Sequence, residues 1–326
     1  MKLPRRAFLH LVAGAAALTA THTATAQTYP LRTITLIVPF AAGGPTDVTA
    51  RVIGEHMSRT LGQQIIIENV IGAGGTTGST RAMRASPDGY TIQLGQIGTH
   101  AASVAFYPNL AYRPDVDFEP IGLVIEQAVV ILGKRDLPPN DLKEFIPYVK
   151  ANAAKLNNAH AGVGSITHFT CLLLNSALGV KPTLVPFNGS APAMNALIGG
   201  QVDYMCNSIS DVVPQVHAAT VKAYAISTAN RNATLPNVPT ANESGLPEFQ
   251  LSGWYALFAP KGTPKPILDK LSDALDRALD DGNTRKRLLE LGCDIPDKAK
   301  RGQQPLARLV KSEIARWTPI IKAANN

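Results

Sequence analysis

Three glycine-rich segments each have the pattern of a turn between a strand and a helix: Ala41–Gly44, Gly72–Gly78 and Gly162–Ser165. Glycine lets a backbone approach a ligand closely. The helix start behind such a turn offers unpaired N–H groups and about half a positive charge, which suits an anion. The alternative is that these glycines only make tight turns, but three such loops favour at least one anion cradle. Gly72–Gly78 lacks the GxGxxG order of a dinucleotide site, because Thr77 stands at its third glycine, and the chain has no GxxxxGK[ST] phosphate loop. A small carboxylate fits better, since it needs a few backbone donors and hydroxyls rather than a lysine.

Gly164, Ser165, Thr167 and His168 place two hydroxyls and an imidazole at one helix start. A hydrolase would use Ser165 as nucleophile and His168 as base. The GxSxG elbow is absent, however, with Val163 and Thr167 at its glycine positions. Ligand binding and plain helix capping are the readings that remain. Cys171 lies among Phe169, Leu172 and Leu173 and reads as a small buried hydrophobe. The histidines show no HxxxH pair, so no metal is expected. Asp269, Asp273, Asp276, Asp280 and Asp281 read as a solvated helix face.

These groups need a scaffold, and 326 residues with 45% hydrophobic content can supply two domains with a large core. The first 27 residues read as an export signal: Lys2, Arg5 and Arg6, an apolar stretch from Phe8 to Ala20, then Ala24-Thr25-Ala26. The Arg5-Arg6 pair resembles a twin-arginine signal, and an ordinary secretory signal is the alternative route. Removal of this segment leaves a charge of +4 (28 basic against 24 acidic side chains) with no basic run, which argues against a nucleic-acid partner. In an oxidising compartment Cys171 and Cys206 could pair. Apolar runs at Thr33–Phe40, Gln64–Glu68 and Tyr90–Leu94 alternate with helical patterns, and the middle of the chain repeats the alternation. That order predicts doubly wound, mostly parallel sheets flanked by helices. Ile121–Gly133, expected as one long strand, and Leu251–Ala259 are the predicted crossovers between two α/β units. Domain I is then 28–126 plus 254–326, and domain II is 127–253, with a hinged cleft between them.

Several segments in fixed order carry a family resemblance: Val38–Arg51, Glu68–Gly78, Ser86–Thr91, Val185–Met194, Gly199–Asp203, Leu235–Thr240 and Phe258–Pro264. Together they resemble the Bug family of periplasmic solute-binding receptors, which includes the extracytoplasmic subunits of tripartite tricarboxylate transporters. The resemblance implies a two-domain, type II Venus-flytrap α/β fold. It also implies a monomeric receptor without catalysis or cofactor, which closes on a small organic carboxylate and presents it to large and small membrane subunits. A sensory receptor that signals to a kinase is the alternative.

Carried over by position, the implied ligand contacts are Phe40, Ala41, Ala42, Gly43, Gly44 and Asp47 in the first loop, and Gly98 and Thr99 in a further turn. On the second domain they are Gly164, Ser165, Thr167, His168, Asn188, Gly189, Asn207 and Ser208. The sequence departs from the family pattern at Ala41-Ala42, where prolines are usual, and at Asn207, where an acid is common. An amide can donate a hydrogen bond where a carboxylate cannot, so Asn207 is expected to help hold a second, distal carboxylate or another acceptor.

Overall fold

The structure, a computed structural model, describes residues 29–325, so the expected export signal lies outside the described residues. Two sheets carry the architecture. β1 (Ile34–Val38) is buried and apolar, and α1 (Pro45–Leu61) follows it, starting on a proline that has no N–H to leave unpaired. β2 (Ile65–Asn69), α2 (Thr76–Met83) and β3 (Thr91–Gln96) continue the alternation. After a short π-helical turn at Gly98–Ala102 and α3 (Ser103–Phe106) comes β4 (Phe118–Gln127).

The chain crosses to the second sheet at Ala128. β5 (Val129–Lys134), α4 (Leu142–Asn152), β6 (Asn157–His160), α5 (Ile166–Leu178), β7 (Thr183–Pro186), α6 (Ser190–Ile198), β8 (Tyr204–Ser208), α7 (Ile209–His217) and β9 (Val221–Ile226) follow. It returns through 227–252 to β10 (Gly253–Pro260), α8 (Lys265–Asp280), α9 (Gly282–Glu290), β11 (Cys293–Asp294) and α10 (Gln303–Asn325).

The first sheet has the order β11-β4-β10-β3-β1-β2 and the second β7-β6-β8-β5-β9. In the first, β10 and β11 oppose the other four strands; in the second, β5 opposes the other four. The chain is therefore α/β with two mostly parallel sheets. The single strand expected over Ile121–Gly133 is two strands, broken at Ala128, each paired in a different sheet. An unbroken apolar run suits either sheet, so its composition does not mark the change of partner. The return crossing lies before β10, where Leu251 N–H donates to Ser227 O (3.0 Å) and Ser227 N–H to Val129 O (2.9 Å).

The last helix, α10, packs against both lobes. Its Trp317 meets Phe169 of α5 edge-on at 4.7 Å, and buried Glu313 accepts the indole N–H of Trp317 (2.9 Å) and of Trp254 (3.2 Å).

Candidate ligand-binding site

The turn from β1 to α1 is held by one carboxylate. Asp47 is buried and accepts Gly43 N–H (2.9 Å), Arg51 Nε (2.9 Å) and Nη2 (3.0 Å), and Asn69 Nδ2 (3.0 Å). Asn69 Nδ2 also donates to Phe40 O (3.0 Å), so both ends of the loop are pinned. Burial alone would raise the Asp47 pKa, but the bonds from Arg51, Gly43 and Asn69 outweigh it and hold the pKa below its ordinary value. Asp47, expected as a ligand contact, is a brace whose acceptor sites are filled.

A narrow chamber lies between the lobes. The first lobe supplies Phe40, Gly44, Pro45, Thr46, Gln96 and Tyr255, and the second supplies Ala161, Ile166 and Ser190. The lobes close it down to about 10 Å³. Three helices begin on its wall: α1 at Pro45, α5 at Ile166 and α6 at Ser190. Their first turns present unpaired N–H groups and partial positive charge, while no lining residue carries a formal charge. The wall therefore favours an anion without supplying a cation.

Neutral donors complete the wall. The Tyr255 hydroxyl lies 3.2 Å from Ser208 Oγ, and burial pushes its pKa up to about 12, so it stays an O–H. Behind it Ser210 Oγ donates to Gln127 Oε1 (3.0 Å), while the fully buried Gln127 Nε2 has no partner among the described residues.

Glycines let the lobes touch by backbone. A Cβ at Gly74 would lie 1.6 Å from Val163 O, one at Gly98 2.7 Å from Ile166 N, and one at Gly189 3.0 Å from Ala41. The cleft is thus closed at three points. Beside the chamber, sharing Phe40 and Ala161 with it, lies a vestibule of about 450 Å³ whose walls include Tyr107, Val163, Phe187 and Asn188.

The cluster on α5 is a helix start. Ser165 Oγ donates to Gly162 O (2.6 Å) and accepts His168 N–H (3.2 Å), and Thr167 Oγ1 accepts Ala161 N–H (2.7 Å). His168 Nδ1 accepts Gly164 N–H (3.2 Å), so the imidazole is not a base for Ser165. Burial lowers the His168 pKa to about 3, and the nearby His160 adds to the shift. The hydrolase reading therefore has no geometry here.

Of the other expected contacts, Gly98 abuts Gly164–Ile166, and Thr99 Oγ1 accepts Gln96 N–H (3.1 Å) within its own turn. Ala42 and Gly43 sit on the exposed rim. Asn207 is turned inward: its amide donates to Asp211 Oδ2, and its carbonyl accepts Ser208 N–H (2.8 Å). These two bonds use one of the two amide hydrogens of Asn207. Cys171 and Cys206 are buried free thiols, and Cys171 Sγ donates to Asn158 Oδ1 (2.8 Å).

Thr46 lies inside the loop flagged from the sequence, and Tyr255 is open there to either a cleft or a core position, but the sequence does not single out Gln96 or Ser190. Ser190 directly follows the flagged Asn188-Gly189, whereas Gln96 and Tyr255 meet only through the antiparallel pairing of β3 with β10. Among the described residues no group of His, Cys, Asp or Glu is placed to hold a metal ion, and no helix is long and apolar enough to cross a membrane.

Residues 49–326 match the family model described as "Tripartite tricarboxylate transporter family receptor". MatC from Rhodopseudomonas palustris, solved with bound malate, is 51% identical, with a TM-score of 0.88 over 90% of this chain and 100% of that one. The periplasmic binding protein BugD is 42% identical, with a TM-score of 0.88 over 91% and 99%. A second R. palustris protein, solved with adipate, is 30% identical, with a TM-score of 0.87 over 91% and 98%.

Proposed function

Since this chain belongs to the receptor family of tripartite tricarboxylate transporters, whose members bind solutes rather than catalyse reactions, we propose that it captures a small dicarboxylate in the interlobe chamber and delivers it to membrane subunits. The observation that carries this reading is the convergence of three helix starts and neutral O–H and N–H donors on a wall without a cation. Such a wall holds a carboxylate by preorganised dipoles. Malate and adipate in similar proteins bracket the class, and the higher identity to the malate-bound protein favours the four-carbon end.

On this reading Phe40–Gly44 and the starts of α5 and α6 grip one carboxylate. Gly98, Thr99, Gly164, Ser165, Thr167, His168, Asn188, Gly189, Asn207 and Ser208 form the surrounding frame. The hinge lies at 127–128 and in 227–253, so domain II is 127–253. The protein works as a monomer in the periplasm after loss of residues 1–27.

Thermal shift and calorimetry with L-malate, succinate, adipate and citrate test the reading. Ligand at 100 times its dissociation constant adds about 2.7 kcal/mol, or about 4 °C for a chain of this size. L-malate or succinate is expected to give that shift and citrate to give none. No shift with any of the four on folded protein overturns the proposal.

A further inference from the structure

Tyr107 follows α3 at the rim of the cleft, half-exposed, and lines the vestibule rather than the chamber. Its hydroxyl lies 2.9 Å from Ala73 O on the first lobe and 2.7 Å from Val163 O on the second. Both partners are carbonyls, so the single hydroxyl proton is the donor for both in a three-centre bond. The phenol ring also packs on the second lobe, where a Cβ at Gly164 would lie 2.7 Å from Tyr107 Cε2. Ala73 itself is held at φ +45°, a conformation non-glycine residues seldom adopt. Strain of this kind persists only where the surroundings impose it.

We infer that Tyr107 is a clasp across the cleft, a positioning residue that holds the two lobes closed without touching the ligand chamber. When the lobes part, the hydroxyl keeps Ala73 O, which is on its own lobe, and loses Val163 O. The second bond therefore exists only in the closed form. A contact present in one state and absent in the other shifts the equilibrium by its own free energy, whether or not a ligand is bound. The Val163 arm is worth up to one net hydrogen bond, or up to about a tenfold change in the closed-to-open ratio. Because closure limits escape, the effect falls on the dissociation rate.

The test uses the full exported chain with spin labels on Arg84→Cys and Lys150→Cys, one on each lobe, the native thiols being buried. Distances are read without ligand and with L-malate, in wild type and in Tyr107→Phe. The substitution is expected to lower the ligand-free closed-to-open ratio by up to about tenfold and to raise the L-malate dissociation rate by a similar factor. The association rate is expected to stay the same, and the melting temperature of the ligand-free protein to fall by no more than about 2 °C. Identical ligand-free distance distributions in the two forms overturn the clasp. The L-malate arm rests on the receptor reading: absence of L-malate binding in both forms counts against that ligand, while the ligand-free distances still decide the clasp.

Discussion

Asp47 shows how one side chain prepares a site it does not enter. It takes bonds from Gly43, Arg51 and Asn69, and so fixes a loop whose own residues have little to hold them. Asp47→Asn breaks the two-pronged Arg51 contact and is expected to cost about 1–3 kcal/mol in urea unfolding of the ligand-free protein. Its carboxylate contribution is present above the ordinary value of 3.8 and is lost as pH falls through the lowered folded value.

The histidines titrate over a higher window. Burial lowers His100 and His168 to about 3 and His160 to about 4, from 6.5. Between those values and 6.5 the unfolded chain binds protons that the native one refuses, so stability is full above pH 6.5 and falls as pH drops. Asp211, raised to about 6 by burial, acts in the opposite direction and offsets roughly one of the three. The melting temperature is expected to decline steadily from pH 6.5 to 4, and His100→Gln to make that decline shallower. A flat profile over this range would contradict the buried neutral imidazoles.

At the scale of elements, turns and helix starts do the positioning. The Gly72–Gly75 turn meets the Gly162–Val163 turn backbone to backbone, and Gly74 has no room for a methyl group. Gly74→Ala should keep the lobes apart and weaken L-malate binding at least tenfold, with the loss visible in calorimetry while far-ultraviolet circular dichroism is unchanged. An affinity equal to wild type would show that closure does not need this contact. Cys171 on α5 faces the core beside β6, Cys206 is buried within β8, and Cys293 is buried in β11. An aromatic disulfide reagent is expected to titrate none of the three thiols in the native protein and all three in denaturant. A single reactive thiol in denaturant would reveal a bonded pair.

Over the whole molecule, legibility follows the range of the interaction. The strand-turn-helix order, the apolar runs and the family motifs are local, and they carried the α/β class, the three glycine turns and the receptor family. The split at Ala128 was not legible, because apolar residues on either side serve both sheets equally well. Gln96 beside Tyr255, and Tyr107 between Ala73 and Val163, join segments far apart in the chain, and nothing local marks such meetings.

The order of residues by itself determined which segments turn, which helices start on glycine or proline, and what kind of guest such turns suit, since these depend on backbone sterics and dipoles within a few residues. Only the tertiary structure decided that three helix starts share one wall, that Gly43, Arg51 and Asn69 converge on Asp47, and that Asn207 meets Asp211. Those outcomes depend on which lobe surfaces come together, and a surface is set by packing across the whole chain.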